Sequence, residues 1–201
     1  MEKKIIVEKG FIYDKIPSDV YKELLASIDI SNVDTKKPHN FALAGNIEKE
    51  FNVTDLIPDL FCEYVCFVAN QYYHHFPLER KGNNKNFQFG DTWLNYQQKH
   101  EFNPIHFHSG SLSYVVWIKI PYDLDEELNL PNVRSTGPIG RKNSIFEFTV
   151  DNISHPIYVN SEMEGSIIIF NATYSHQVYP FYTSDEYRIS LAGNLHTNWV
   201  D

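Results

Sequence analysis

Residues 103–121 of the chain read NPIHFHSGSLSYVVWIKIP. His106 and His108 stand two positions apart, immediately ahead of an apolar, β-branched and aromatic run that reads as a buried strand. Residues two apart on an extended chain point to the same side, so both imidazoles face one centre. Two explanations fit: a metal site, or two polar side chains on a solvated edge. Imidazole suits Fe(II), Zn(II), Ni(II) and Cu(II), but two alone hold a metal poorly, so the first explanation needs a third ligand from elsewhere.

Working outward, the region from Phe87 alternates β-branched and aromatic runs with turn clusters. The runs are FQFGDTWLNYQQ (87–98), SLSYVVWIKI (111–120), SIFEFTV (144–150), HPIYVN (155–160), GSIIIFN (165–171), SHQVYPF (175–181) and YRISLAGNL (187–195). Strands at this spacing predict an antiparallel sandwich or barrel. Before them lie two helical patterns. IPSDVYKELLASI (16–28) opens at Pro17 or Ser18 and gathers Val20, Leu24, Leu25 and Ile28 on one side. NVTDLIPDLFCEYVCFVANQYYHHF (52–76) has Thr54 as a possible cap and repeats Ile57, Phe61, Tyr64, Val65, Val68 and Tyr72 at helical spacing. His74 and His75 fall at its frayed end and read as solvated. The expected class is α+β, mainly β, with two helices braced against a β core. Residues 122–143, YDLDEELNLPNVRSTGPIGRKN, interrupt the strands and read either as a lid or binding loop or as a plain surface insertion.

Composition narrows the function classes. The 201 residues suit a single domain, 1–201, with supporting helices and short strands over 1–86 and the β core over 87–201. Apolar residues make up 42 % and aromatic ones 15 %, which excludes a disordered chain. The formal charge of -9 repels a phosphate backbone and argues against general nucleic-acid binding. No apolar stretch reaches the roughly 20 residues that span a bilayer, and MEKKIIVEKGF lacks the apolar core of a secretion signal, so the expectation is a cytoplasmic protein with no membrane partner. Cys62 and Cys66, four apart in the second helical pattern, read as core packing rather than a redox or metal pair.

Among nine histidines, His176 is best placed to supply the third ligand. EGSIIIFNATYSHQVYP (164–180) is strand, short turn, strand, which returns His176 towards the first pair. Twelve residues later, YRISL puts Arg188 and Ser190 on one face of a strand whose other positions are Ile189 and Leu191. An arginine there is costly to bury unless an anion pairs with it, and a carboxylate held bidentately, with the Ser190 hydroxyl as a further donor, is the natural partner. The alternative is an edge arginine paired with Asp185 or Glu186.

Taken together, these motifs resemble the double-stranded β-helix of the 2-oxoglutarate-dependent Fe(II) oxygenases, and within them a prolyl-hydroxylase-like group common in bacteria and their phages. The resemblance runs from about Trp93 to Asn194. It rests on WLNYQQKHEFNPIHFH, LSYVVWIKIP and GSIIIFNATYSHQVYPFYTSDEYRIS, which follow that group's order of W-x-N, H-x-H, a serine-led strand ending in proline, H-x-V-x-P and R-x-S. It implies a jelly-roll or cupin-like barrel and an Fe(II)- and 2-oxoglutarate-dependent dioxygenase that hydroxylates its substrate and releases succinate and CO2. It makes His106 and His176 iron ligands, gives Arg188 and Ser190 the distal carboxylate of 2-oxoglutarate, and brings Asn95 and Gln97 to the cosubstrate from a neighbouring strand, with Tyr96 facing away. Trp117 would wall the substrate pocket.

One departure stands out. Most of the superfamily carries Asp or Glu where this chain has His108. His108 is then either the third ligand or a side chain that swings away and leaves a vacancy; Asp91 and Glu101 lack the spacing to replace it. His39, His100 and His155 read as surface residues, while His196 is a minor candidate for the pocket mouth. Two other classes remain: a cupin-like metalloprotein without 2-oxoglutarate, for which Arg188 would have no task, and a noncatalytic barrel. The expected partner is a small molecule or a peptide.

Overall fold

A computed structural model of the chain describes residues 6–8, 10–32, 36–76, 85–137 and 140–199. In chain order its main elements are β1 (Ile6–Glu8), β2 (Phe11–Lys15), α1 (Ser18–Ile28), β3 (Lys37–Pro38), β4 (Lys49–Asn52), α2 (Asp59–His75) and β5 (Lys85–Gln97). There follow β6 (Asn103–His106), β7 (Leu112–Lys119), α3 (Leu124–Asn129), α4 (Pro131–Arg134), β8 (Ile145–Val150), β9 (Ile153–Tyr158), β10 (Ser166–Asn171), β11 (His176–Val178) and β12 (Arg188–Trp199).

Strands β10, β7, β12 and β5 lie side by side in one sheet, and β6, β11, β8 and β9 form a second; every pairing is antiparallel. Along the chain, β5 belongs to the first sheet, β6 to the second, β7 to the first, β8 and β9 to the second, and β10 to β12 alternate again. A chain that winds between two facing sheets in this way is a double-stranded β-helix, the expected architecture. The N-terminal region does more than brace it: β2 with β1 extends the first sheet past β10, and β4 with β3 extends it past β5.

The first sheet is covered on both faces, and the period of two sorts its side chains. On β7, Leu112, Tyr114, Val116 and Ile118 pack with α1 and α2, whereas Trp117 joins the layer between the sheets. On β10, Ile167 and Ile169 face the helices, and Ile168 and Phe170 face the second sheet. This double burial explains the unbroken apolar run SIIIF. Helix α2 supplies Phe61, Val65, Val68 and Tyr72, spaced three and four apart and fully or almost fully buried; each such side chain contributes about 1.5–3 kcal/mol. Cys62 and Cys66 are free and half-buried beside this stripe, and burial pushes both thiols up, Cys62 to about 11, which suits packing and not redox chemistry.

Three local expectations need correction. Thr54 does not cap α2: residues Thr54–Leu56 make a separate 3-10 turn, and the helix begins at Asp59. Pro58 accounts for this, because it excludes Ile57 from helical backbone and holds it extended, at ψ 120. The segment 122–143 is not a plain loop either. It folds into α3 and α4, with the Asp123 side chain accepting from the Glu126 amide at 3.1 Å; Pro138 and Ile139 lie outside the described residues. His155, expected at the surface, sits half-buried on β9, stacked on Phe148 at 5.9 Å. Among the described residues, no helix is long and apolar enough to cross a membrane.

Glu127 of α3 is fully buried and ties the insertion to the segment ahead of β12. One of its oxygens, Oε1, accepts from the Tyr182 amide at 2.8 Å, the Thr183 amide at 2.6 Å and the Thr183 hydroxyl at 2.7 Å. Replacing it by alanine strands these donors, each worth about 1–3 kcal/mol when left unpaired. The expected outcome for Glu127→Ala is a loss of about 2–4 kcal/mol, read from the urea midpoint at unchanged slope. Glu127→Gln, which keeps an acceptor, should lose less.

Candidate active site

Three imidazoles meet between the sheets. His106 ends β6, directly opposite His176 on β11 in the strand register. His108 follows two residues later, its backbone amide donating to Ala172 O at 2.8 Å, which keeps the chain extended past the strand end. Ile105 and Phe107 consequently turn outward and are 63 % and 68 % exposed. The ring centroids lie 4.2 Å (His106–His176), 5.0 Å (His106–His108) and 5.0 Å (His108–His176) apart, and one nitrogen from each falls within 4.8 Å of the others. The solvated-edge alternative for this pair does not hold.

Hydrogen bonds orient two of the rings. His106 Nδ1 lies 2.7 Å from Pro104 O, and His176 Nδ1 lies 3.0 Å from Tyr174 O. A carbonyl only accepts, so each Nδ1 carries the proton and each Nε2 keeps a free lone pair. Burial pushes all three imidazoles down and their mutual repulsion adds to it for His108, at about 4, and His176, at about 3; for His106 burial outweighs the bond to Pro104. All three are therefore neutral at physiological pH, the state in which imidazole binds a cation. Phe146, Phe170 and Trp93 surround them.

Arg188, 4 % exposed, points inward from β12. Its Nε and Nη2 donate to Gln97 Oε1, Nη1 donates to the Tyr122 hydroxyl at 3.1 Å, and Nη2 also donates to Tyr179 O at 3.1 Å. The Tyr122 and Phe181 rings flank the guanidinium at 5.9 and 5.6 Å. Every one of these partners is neutral. The two acids proposed as edge partners are engaged elsewhere: Asp185 pairs with Lys99, and Glu186 with Lys119. A buried cation with no carboxylate partner among the described residues, at the edge of a cavity, is the environment expected for an anion-binding group.

The remaining expected residues share this cavity. Asn95, Gln97, Trp117 and Ser190 all line it, with Ser190 opposite Asn95 on one side and Trp117 on the other. Asn95 Nδ2 donates to Ser190 Oγ at 3.3 Å, while its Oδ1 is buried without a partner. Both ends of the Gln97 amide are engaged, Oε1 by Arg188 and Nε2 by Glu101 O at 2.6 Å, so Gln97 holds the arginine in place. Tyr96 turns away into the helix-side core, as expected. His196 is exposed and does not line the cavity, and no described residue of 122–143 does. His39, taken for a surface residue, is half-buried, 3.7 Å from Asp91 and beside Trp93 at 6.2 Å.

Glu50 was not anticipated. It sits in β4 opposite Asn95, 1 % exposed, and lines the cavity with Leu43, Gly45 and Asn103. Within GNIEKEFN it looks like one more solvated acid, and no local signal distinguishes it. Tyr122 was likewise hidden in the insertion.

A family model described as "Putative 2OG-Fe(II) oxygenase" matches residues 91–194, just over half of the chain. The chain belongs to this family of 2-oxoglutarate- and Fe(II)-dependent oxygenases. Solved structures agree on the fold. A prolyl-4-hydroxylase from Pseudomonas putida is 13 % identical with a TM-score of 0.54, covering 93 % of this chain and 92 % of that one. A 2OG-Fe(II) oxygenase family oxidoreductase from Burkholderia pseudomallei is 13 % identical with a TM-score of 0.56, covering 94 % and 86 %. A Trichoplax adhaerens prolyl hydroxylase, in complex with a peptide fragment of the hypoxia inducible factor oxygen degradation domain, is 10 % identical with a TM-score of 0.53, covering 92 % and 83 %. No curated protein matches the sequence. The oxygenase is thus an iron- and 2-oxoglutarate-using enzyme.

Burial pushes the Glu50 carboxyl up from an ordinary 4.5 to about 7, and the nearby Glu101 carboxylate pushes the same way. The folded oxygenase then holds the proton more tightly than the unfolded chain, so Glu50 contributes stability that declines as pH rises from about 4.5 to about 7. The three histidines contribute the opposite slope, and it cancels on comparing wild type with Glu50→Gln. Urea unfolding of both metal-free proteins between pH 5 and 7 should show the wild type losing stability relative to the variant as pH rises.

Proposed function

We propose that His106, His108 and His176 hold Fe(II) through one nitrogen each, Nε2 for His106 and His176, and that Arg188 binds the distal carboxylate of 2-oxoglutarate, in an enzyme that hydroxylates an organic substrate. The observation carrying this reading is the buried Arg188 guanidinium, surrounded by neutral acceptors only, in the cavity that the three imidazoles line. Bound Fe(II) and 2-oxoglutarate together supply activation of dioxygen, with oxidative decarboxylation of the cosubstrate to succinate and CO2 and insertion of one oxygen atom into the substrate.

The chain's own residues do the rest. Pro104 O and Tyr174 O fix the His106 and His176 rings with Nε2 facing the centre. Gln97, Tyr122 and Tyr179 O hold the guanidinium plane, so that little side-chain freedom is lost when a carboxylate docks. Ser190 offers its hydroxyl to the same carboxylate. Asn95 Nδ2 donates to Ser190 Oγ at 3.3 Å, which leaves the one hydroxyl proton of Ser190 free for that carboxylate. Trp117 and Phe146, 6.4 Å apart, exclude water from one wall. A three-histidine set is one negative charge poorer than a set with a carboxylate, which favours an anionic cosubstrate beside the metal. The site does not reproduce a cupin without 2-oxoglutarate, because such a protein has no use for a buried Arg188. An intracellular setting, with Fe(II) and 2-oxoglutarate at hand, suits this chemistry.

Anaerobic titration tests it. Wild-type protein should take up one Fe(II) and, on adding 2-oxoglutarate, develop a visible metal-to-ligand charge-transfer band. His176→Ala should lose Fe(II) uptake. Arg188→Ala should keep Fe(II) yet bind 2-oxoglutarate at least about 30-fold more weakly, the cost of truncating a buried charge partner. Unchanged 2-oxoglutarate affinity in Arg188→Ala would sink the cosubstrate assignment. His108→Ala with unaltered Fe(II) affinity would remove His108 from the ligand set.

A further inference from the structure

The cavity carries chemistry that neither iron nor 2-oxoglutarate uses. Glu50 is buried, and among the described residues no Lys, Arg or His forms an ion pair with it. Among the described residues the one hydrogen bond to its carboxyl is long, from Asn40 Nδ2 to Oε2 at 3.5 Å. Close by, Asn103 Oδ1 is buried and accepts no hydrogen bond. The two groups meet over Gly45: a Cβ on that residue would lie 2.6 Å from Glu50 Oε1 and 2.4 Å from Asn103 Oδ1. Two oxygens therefore converge at one point of the cavity wall, held there by a glycine that leaves room for them, with no donor assigned to either. Asn103 Oδ1, a buried acceptor left unpaired, costs about 1–3 kcal/mol. A protonated Glu50 can supply it with a donor, whereas an ionised Glu50 leaves two acceptors facing one point and calls for a donor from outside the chain.

We propose that this wall binds the prime substrate through a cationic nitrogen group, an ammonium or guanidinium bearing several N–H donors, with Glu50 as the specificity-determining residue and Asn103 Oδ1 as the second acceptor. This rests on the iron and 2-oxoglutarate assignment above and names the substrate class for the same site. A hydroxyl would supply a single donor to two oxygens, and an anion would meet a carboxyl and a carbonyl. A cationic nitrogen satisfies both oxygens and, by favouring the ionised form, draws the Glu50 proton off to solvent. Two exposed aromatic side chains next in sequence to lining residues favour a polypeptide as the carrier of that group. Phe41 is fully exposed on the turn that leads into Leu43–Gly45, and Phe102, 41 % exposed, precedes Asn103. The bridge from the Asn46 amide to Phe102 O, 2.9 Å, joins the two segments.

Calorimetry on the anaerobic protein loaded with Fe(II) and 2-oxoglutarate tests this. The probes are arginine and lysine, citrulline and norleucine, whose side chains are neutral, and end-capped tripeptides carrying each of the four between alanines; the capped tripeptides, in which the side chain is the only cationic group, decide the comparison of cationic with neutral probes. The cationic probes should bind more tightly than the neutral ones, and Glu50→Gln, an isosteric change outside the proposed iron and 2-oxoglutarate residues, should weaken them about tenfold or more. Asn103→Ala should weaken them less. Tighter binding of the tripeptides than of the free amino acids identifies a polypeptide substrate, and the reverse a metabolite. Equal binding of cationic and neutral probes, no binding of either, or indifference to Glu50→Gln overturns the proposal. Absence of the charge-transfer band in the wild type is a separate result: it removes the iron and 2-oxoglutarate assignment itself.

Discussion

The central strands of the larger sheet are covered on both faces, and this constraint governs everything else in the molecule. One face meets α1 and α2, and the other meets the second sheet, so each central strand must send alternate residues into two different environments. Strand β12 does this with Ile189 and Leu191 on the helix side and Arg188, Ser190 and Ala192 on the cavity side. Strand β5 matches it, with Leu94 and Tyr96 outward to the helices and Trp93, Asn95 and Gln97 inward. A slip of one residue between these strands would drive the arginine, the serine and two amides into an aliphatic core. The apolar set thus fixes the register, and the register places the polar set. Stability and site are two faces of the same pairing.

Arg188 shows what that placement costs and how the cost is contained. A guanidinium at 4 % exposure is expensive without an anion, yet its donors are shared among Gln97, Tyr122 and the Tyr179 carbonyl, and two aromatic rings flank its plane. Those partners come from three separate places in the chain. Gln97 lies on β5, Tyr122 stands at the head of the insertion, and Tyr179 and Phe181 lie in the segment after β11, which Glu127 anchors from α3 at Tyr182 and Thr183. The insertion once open to reading as a lid is instead scaffolding for the arginine's surroundings. It contributes no described residue to the cavity wall but holds in place the loop that does the holding.

How far the sequence could be read follows from which interactions are local. The strands were legible because period-two patterning is a property of each strand alone, and the H-x-H and R-x-S spacings carry over directly to a shared face. His176 was legible because a strand, a short turn and a returning strand leave it few places to go. The start of α2 was misplaced because an apparently good cap at Thr54 precedes Pro58, whose restriction on Ile57 wins. Helix α3 was missed although Asp123 and Glu126 have capping spacing, since six residues are too few for periodicity to show. Glu50 was out of reach for another reason. Its burial depends on β4 joining the sheet beside β5, a pairing between residues 45 positions apart in sequence that no local pattern announces.

That pairing gives the cavity its polarity. From β12 it receives a guanidinium with only neutral partners, and from β4 a carboxyl with no cation beside it among the described residues; three neutral imidazoles line the same cavity. Arg188 and Glu50 would neutralise each other most cheaply as an ion pair, and the fold keeps them from doing so. Gln97 takes up the arginine's Nε and Nη2, while Glu50 shares its wall with Asn103 and Gly45. A buried guanidinium and a buried carboxyl kept apart in one cavity are a poor way to stabilise a barrel, since apolar residues of the same volume would do as well or better. They are an effective way to orient two ligands of opposite charge, one from each side, towards a common centre.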